Sequence, residues 1–347
     1  MDLTLGILLV AAGGAMEGLF SLGVTNTPKW RWENIWGLGS LVALVLVPWP
    51  VAFLTVPDLL GVYRSVPGET GLALVFGLGW GIGSIFWGKA INIVGLALGV
   101  SMMMGMTSVW GALGPLLLDE PGQFLKPGGM VLSLALLVMV AGVAFCALAG
   151  KKKETDLAGR VEAESSSTTR TSAAFAVGLL FCMLSPLLSS LVNFAFTQCS
   201  GLKEASIAAG AGKASQSNAI WAMVFTGNFS VNCAYTLVLM FKNKSFGRFA
   251  EGDAMHWFWA LFLGTLWPLG IVLYGIGATR MGEKYGAYAG WPMMLLCSIL
   301  ASNVAGAATG EWRGTRPQTR KTMLSGIAVL LVALGLLAAA KMLMGSA

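Results

Sequence analysis

The chain has 347 residues, of which 56% are hydrophobic and only 11% are charged. A soluble domain usually carries about a quarter charged residues, so this composition, with a mean hydropathy of +0.74, excludes a soluble globular domain and a disordered chain. The net charge of +6 lies mainly between apolar segments, where basic residues set membrane topology, and does not indicate a nucleic-acid partner. These values indicate an integral membrane protein.

Apolar intervals long enough to cross a bilayer follow one another along the chain. Nine of them contain no Asp, Glu, Lys or Arg: 34–57, 70–88, 90–118, 127–150, 171–202, 214–241, 254–279, 285–310 and 322–340. A tenth, 3–28, is interrupted only by Glu17. About 20 apolar residues cross the hydrocarbon core, and helices satisfy their own backbone groups in lipid. The predicted fold class is therefore all-α integral membrane, with ten transmembrane helices.

The ten helices divide into two groups of five. The first group is predicted over residues 1–150, with spans at about 3–24, 34–56, 70–90, 95–118 and 128–149. A cytoplasmic linker follows at 151–170, where charges of both signs precede Ser and Thr. The second group is predicted over 171–347, with spans at about 172–197, 214–241, 255–279, 285–309 and 322–344.

The two groups share a sequence pattern. Sliding the chain by 187 residues aligns Phe76–Gly99 with Leu263–Gly286 without a gap. The identical pairs are Gly77 with Gly264, Trp80 with Trp267, Gly83 with Gly270, Gly88 with Gly275, Gly95 with Gly282, and Gly99 with Gly286. Five helices are an odd number, so a duplicated half must be inserted upside down. Such a five-plus-five inverted repeat is typical of secondary transporters.

Basic residues between the spans predict the orientation. If both termini lie outside, fifteen of the 22 Lys and Arg residues fall in cytoplasmic loops and the linker. The positive-inside rule therefore places both termini on the outer side.

Several short stretches resemble one family of transporters. They are Lys29–Glu33 after the first span, Trp80–Gly83 in the third, Arg280 after the eighth, and Gly310–Trp312 before the tenth. Their order and placement resemble the L-rhamnose-proton symporter family of the drug/metabolite transporter superfamily, over nearly the whole chain. The resemblance implies a bacterial inner-membrane carrier that imports a deoxysugar with a proton, and periplasmic termini then follow from the loop charges.

Two charged residues within the apolar intervals are candidates for proton coupling. Glu17 lies about 21 Å along a helix that begins near Leu3, at 1.5 Å per residue. A carboxyl group that meets alternating surroundings can bind and release a proton near neutral pH, although a structural ion pair would also explain it. Lys89 lies about 28 Å along the third span and could pair with Glu17, or could be an ordinary anchor at the helix end.

Amide and aromatic side chains within the spans are candidates for sugar binding. A sugar needs hydrogen-bonding groups around its hydroxyls and a flat aromatic surface against its C–H face. The candidates are Trp80, Trp87, Trp110, Asn193, Asn228, Asn232, Trp267, Tyr274, Trp291 and Asn303. Interhelical hydrogen bonding and packing are the alternative roles of these residues.

The expected partners are a small sugar, a proton and the lipid bilayer, with no cofactor or metal. An exporter or exchanger of another small metabolite is the main alternative, because direction depends on gradients. An enzyme is disfavoured because the chain has one histidine and no H-E-x-x-H or nucleophile elbow. A channel is disfavoured because no filter-like repeat or charged ring is visible.

Overall fold

The computed structural model describes residues 3–19, 22, 26–94, 96–158, 172–310 and 312–345. Helices make up all the regular structure in these ranges, so the predicted all-α class is confirmed. In chain order they are α1 Leu3–Leu19, α2 Trp32–Leu41, a π-helical turn Val42–Leu46, α3 Pro48–Thr55, α4 Leu59–Ser65, α5 Pro67–Val94, α6 Leu96–Asp119, a 3-10 helix Pro121–Leu125, α7 Pro127–Ala158, α8 Ser172–Ser189, α9 Leu191–Gln198, α10 Ser200–Ala208, α11 Asn218–Asn243, α12 Arg248–Glu251, α13 Ala254–Ala308 and α14 Pro317–Gly345.

Eight segments within the described ranges are long and apolar enough to cross a membrane. They are Trp32–Thr55, Pro67–Val94, Pro127–Leu157, Ala176–Gln198, Asn218–Asn243, Ala254–Gly282, Tyr285–Ala308 and Pro317–Met344. Each corresponds to one predicted span. Of the other two predicted spans, α1 is a shorter apolar helix of 17 residues, and α6 has 24 residues with Pro115 inside it.

The α2–α3 segment contains the π-helical turn Val42–Leu46. Trp36 and Trp49 lie on either side of this turn in the sequence. Both indoles reach α11: Trp36 donates to Asn232 at 2.8 Å and Trp49 to Thr226 at 2.9 Å.

α13 contains a chain reversal. Gly282 has φ +103°, a left-handed conformation that glycine adopts without steric cost. A Cβ atom added to Gly286 would lie 2.0 Å from the carbonyl oxygen of Ala278, so the two arms, Ala254–Gly282 and Tyr285–Ala308, pack closely beside the turn. The turn lies between the predicted spans 255–279 and 285–309. Gly95, the predicted equivalent of Gly282, lies outside the described residues.

Glycines let α1 approach both arms of α13. A Cβ atom at Gly13 would lie 2.5 Å from the carbonyl oxygen of Gly270 on the first arm, and one at Gly14 would lie 2.2 Å from that of Met294 on the second. α8 approaches α5 in a similar way, since a Cβ atom at Gly83 would meet the Leu188 Cβ at 2.9 Å. Close backbone approach through small residues is how membrane helices associate without a hydrophobic driving force.

Two further features differ from the predicted boundaries. α7 continues to Ala158, eight residues into the predicted linker, and the remainder of that linker lies outside the described residues. The predicted sixth span, 172–197, is divided at Ser190 into α8 and α9. α8 contains Pro186, which removes one helix hydrogen bond near this break.

Polar side chains tie the helix ends together at both ends of the bundle. At one end, Asp119 accepts hydrogen bonds from Gln198 at 2.8 Å and from Tyr288 at 2.9 Å. At the other, Glu33 accepts from Asn243 at 2.9 Å and from Ser245 at 2.8 Å. The region between these two ends is aromatic and contains most of the candidate site residues.

Candidate functional site

A row of aromatic rings crosses the centre of the helix bundle. The Trp36 ring lies 5.7 Å from that of Trp267, and Trp267 meets Trp80 edge to face at 5.5 Å and 76°. Edge-to-face contact is a favourable geometry for aromatic pairs. Trp80 and Trp267 are 7% and 8% exposed, and each stands at the midpoint of its helical segment, Pro67–Val94 and Ala254–Gly282 respectively.

The aromatic row continues from Trp80 towards α9. Phe225 lies 5.7 Å from Trp80 and 6.4 Å from Trp221. Trp221 stacks on Phe196 at 5.5 Å with an angle of 12° between the ring planes. Phe196 in turn lies 3.7 Å beneath the buried Lys203 ammonium, an arrangement in which the ring face attracts the cation.

Tyr274 joins the row to a second group of polar contacts. Its ring lies 5.6 Å from those of Phe196 and Trp291, and its hydroxyl donates to the Asn193 side-chain oxygen. The Asn193 side-chain nitrogen donates to the Gly111 carbonyl at 2.7 Å. Asn193 therefore has both ends of its amide occupied and fastens α9 to α6 and α13.

Trp291 packs against backbone atoms of α6. Its Nε1 donates to the Thr107 carbonyl at 3.1 Å, and a Cβ atom at Gly111 would lie 2.1 Å from the same nitrogen. The Thr107 hydroxyl is buried and has no hydrogen-bond partner among the described residues. A glycine is needed at position 111 because any larger residue would displace the indole.

Asn228 and Asn232 are hydrogen-bonded to each other on one face of α11. Asn232 donates from its side-chain nitrogen to the Asn228 side-chain oxygen, and its own oxygen accepts from Trp36 Nε1 at 2.8 Å. Asn228 Nδ2 is buried without an acceptor among the described residues. The carbonyl oxygen of Asn228 lies against Gly81, the residue after Trp80 in α5, where a Cβ atom would approach it to 3.0 Å.

Glu17 lies between the two arms of α13. Gly13 and Gly6 contact the first arm, Gly14 and Gly18 contact the second, and at 100° per residue Glu17 falls between these two directions. Its Oε2 is buried without a hydrogen-bond partner among the described residues. A carboxyl group in this position faces the interior of the bundle rather than lipid.

Four candidates lie away from this aromatic centre. Lys89 is exposed on α5, and no ion pair joins it to Glu17 in the described part of the chain. Trp87 packs beside Ala90 and Val94 in a separate cluster with α8. Trp110 is 41% exposed, and the Asn303 amide donates to the Ile299 carbonyl of its own helix at 2.8 Å.

The structure brings six of the candidates close to one another and adds residues that the sequence did not indicate. The six are Trp80, Asn193, Asn228, Trp267, Tyr274 and Trp291, with Asn232 linked to them through Asn228. The additions are Trp36, Thr107, Phe196, Trp221 and Phe225. Trp36 stands five residues into its segment, where an interfacial tryptophan is the ordinary expectation, and only its partner on α11 distinguishes it.

A polar cluster outside the spans closes one end of the bundle near Trp30. A hydrogen bond with the His256 ring, 2.8 Å from the Asp253 carboxylate, lowers the pKa of Asp253 to about 2. The same carboxyl group accepts from the backbone N–H of Met255 and His256 and so caps α13. Asp253 also pairs with Lys29 at 3.5 Å, which ties the segment before α2 to the start of α13.

Comparison with known proteins agrees with the resemblance found in the sequence. The family described as L-rhamnose-proton symport protein (RhaT) matches residues 1–343. A protein named L-rhamnose-proton symporter from Yersinia pestis (strain Pestoides F) is 25% identical over 338 residues, covering 95% of each chain. One of the same name from Cronobacter sakazakii (strain ATCC BAA-894) is 26% identical over 340 residues, covering 95% of this chain and 96% of that one. The chain belongs to the L-rhamnose-proton symport protein family.

Proposed function

We propose that this protein is a secondary transporter that imports a small sugar, L-rhamnose or a related deoxysugar, together with a proton. The observation that carries the proposal is the row of aromatic rings at the middle of the spans, with the buried amides of Asn228 and Asn232 beside it. Such a surface offers both the flat faces and the hydrogen-bonding groups that a sugar requires. The names of the two relatives support the same substrate class.

The proposal includes ten transmembrane helices in two inverted repeats, 1–150 and 171–347, with α1 and α6 as the two spans added to the eight. Reciprocal packing supports it. A Cβ atom at Gly270 would meet the Gly13 carbonyl oxygen on α1 at 2.7 Å, and one at Gly83 would meet the Ser185 carbonyl oxygen on α8 at 3.1 Å. Since Gly83 and Gly270 are equivalent under the 187-residue shift, α1 and α8 take equivalent places.

The next pair of helices, α2 and α11, packs in the same reciprocal way. A Cβ atom at Gly77 would lie 2.0 Å from the Val224 carbonyl oxygen on α11, and one at Gly264 would lie 2.9 Å from the Gly39 carbonyl oxygen on α2. Trp80, which is equivalent to Trp267, touches it. Equivalent residues meet in this way only near a twofold axis, so this contact supports a pseudo-twofold axis through the centre of the bundle.

Glu17 is the proposed proton-binding group. Its carboxyl group lies between the two arms of α13 with one oxygen unpaired among the described residues, and a buried carboxyl group that lacks a permanent cation can exchange a proton. Lys89 is proposed as an anchor at the cytoplasmic end of its helix, because it is exposed and basic residues favour that side. Alternating exposure of Glu17 to the two sides then couples proton entry to sugar entry.

The orientation and location follow from the charge distribution. We propose a multi-pass protein of the bacterial inner membrane with both termini in the periplasm, because this arrangement places most Lys and Arg residues in the cytoplasm. No catalytic role is proposed.

Sugar-dependent proton movement tests the proposed function. Purified protein in liposomes should take up L-rhamnose or a related deoxysugar faster when the outside is acidic, and should make a weakly buffered outer solution alkaline as the sugar enters. Glu17→Gln should retain sugar exchange between equal pools but lose accumulation driven by the proton gradient. The control variant is Trp110→Phe, at an exposed position. Accumulation that is unchanged in Glu17→Gln would refute the role of Glu17, and sugar efflux in exchange for protons would favour the exporter.

A further inference from the structure

Two groups that each have a single hydrogen-bonding role orient the amides in the Trp36–Asn232–Asn228 chain: the Trp36 indole N–H and the Asn228 backbone carbonyl. An asparagine amide can usually be placed in two orientations, because its oxygen and nitrogen have nearly the same shape. An indole Nε1 can only donate. Since Trp36 Nε1 lies 2.8 Å from the Asn232 amide, the atom that faces it must be the oxygen.

The orientation of the Asn232 amide determines that of the Asn228 amide. With its oxygen held by Trp36, Asn232 must present its NH2 group to Asn228, and the Asn228 side-chain oxygen and backbone carbonyl accept from it. The Asn228 NH2 group is then the end of the chain. It is fully buried, without an acceptor in the described part of the protein.

We propose that Asn228 is a substrate-recognition residue that donates a hydrogen bond to a hydroxyl oxygen of the sugar, and that Trp36 is a positioning residue that keeps this amide in its donor orientation. The inference rests on the proposed sugar transport and names the group that reads the sugar. A buried amide left without an acceptor is costly, so a ligand that supplies an oxygen is favoured over one that supplies a C–H group. Hydrogen bonds in such a chain strengthen one another, so binding also tightens the contact between α2 and α11.

Asn193 provides the contrast within the same protein. Both ends of its amide are occupied, by the Gly111 carbonyl and the Tyr274 hydroxyl. Asn193 is therefore already bonded to two neighbouring helices and is assigned a structural role, whereas the Asn228 NH2 group has no acceptor among the described residues. Composition and position alone do not separate the two asparagines, since both are buried within apolar spans.

Sugar analogues modified one hydroxyl at a time test the donor assignment. A hydroxyl oxygen accepts well, fluorine accepts weakly and hydrogen does not accept. At the hydroxyl that Asn228 contacts, the wild-type protein should bind the parent sugar most tightly, the fluoro analogue less tightly and the deoxy analogue least, with about tenfold between the parent and deoxy sugars. If the protein presented an acceptor at that point, the fluoro analogue would be the weakest.

Two variants test the positioning chain, with binding measured by calorimetry on purified protein. Asn228→Asp replaces the donor by an acceptor of the same shape. This variant should bind the fluoro analogue more weakly than the deoxy analogue. Trp36→Phe keeps the ring but removes the N–H donor, so the Asn232 amide is oriented only by its longer contact with the Asn228 backbone carbonyl at 3.2 Å. The preference between the two analogues should therefore shrink. Trp87→Phe, a tryptophan outside the chain, should keep the wild-type order.

The results distinguish this inference from the proposed function. Wild-type protein that binds no deoxysugar overturns both. If the preference between the fluoro and deoxy analogues is as large in Trp36→Phe as in the wild type, or if binding is weakened equally for all analogues, the positioning role alone is overturned. If Trp36→Phe does not fold, the Asn228→Asp result decides the donor assignment. If the wild-type protein binds the fluoro analogue most weakly at every hydroxyl position, the donor assignment is overturned without any variant.

Discussion

Replacing Gly13 by alanine should separate α1 from the first arm of α13. The added Cβ atom would lie 2.5 Å from the Gly270 carbonyl oxygen, about 0.9 Å short of the 3.4 Å at which ordinary contact begins. Both atoms belong to helices, so no side chain can rotate away and one helix must move as a body. Overpacking of this kind costs about 1–3 kcal/mol. In helix α1 that displacement would also move Glu17, four residues further on.

Alanine has a higher helix propensity than glycine, and this gain in stability must be subtracted before the overpacking cost can be measured. Alanine is more favourable than glycine by about 1 kcal/mol within a helix, so Gly13→Ala alone could show a small net change. Gly88→Ala in α5 is the matched control, because no atom lies within 4 Å of a Cβ atom added there. We expect Gly13→Ala to be less stable than Gly88→Ala by about 1–3 kcal/mol in denaturant titrations of the protein in mixed micelles. Equal stability of the two variants would refute the close approach of α1 to α13.

Three further predictions follow from the described contacts. Asn193→Ala should destabilise the protein by about 1–3 kcal/mol for each buried partner left unpaired, measured in the same titrations, without changing the order in which sugar analogues bind. Trp110→Ala should leave the sugar Kd within about twofold, since exposed side chains away from a site rarely change more than about 0.5 kcal/mol, and calorimetry that shows a larger change would place Trp110 in the site. Because the pKa of Asp253 is lowered to about 2, its contribution to stability is present above the ordinary carboxyl range and is lost as the pH falls through about 2. Acidification from pH 5 to pH 2 should therefore lower the thermal stability of the wild type more than that of Asp253→Asn, and equal losses would contradict the role of the carboxylate.

Apolar length predicts the all-helical class, and one gap between predicted spans lies where the chain reverses. The interval between Ala278 and Tyr285 is short, contains charges and includes Gly282, and the structure turns there with Gly282 at φ +103°. These features are local, so they can be read from a single segment. The break at Ser190 was not predicted, because the sequence around it remains apolar and only Pro186 indicates a disturbance.

The candidate site could be predicted only by residue type. Trp80 and Trp267 were found because they are equivalent in the shifted sequence, and the structure brings them together. The role of Trp36 depends on its contact with Asn232, 196 residues away, which no local pattern contains. Asn193 and Asn228 look alike in sequence, and their difference lies in whether neighbouring helices supply partners for both ends of each amide.

The contact between Trp80 and Trp267 has a mechanical consequence under the proposed inverted repeat. When two symmetry-related halves exchange conformations, groups near the axis are each other's images, and the contact between them is reproduced after the exchange. The Trp80–Trp267 pair would then act as the fulcrum of the movement, and its interaction energy would cancel between the inward-facing and outward-facing forms. Substitution of either ring should therefore leave the balance between the inward-facing and outward-facing forms unchanged.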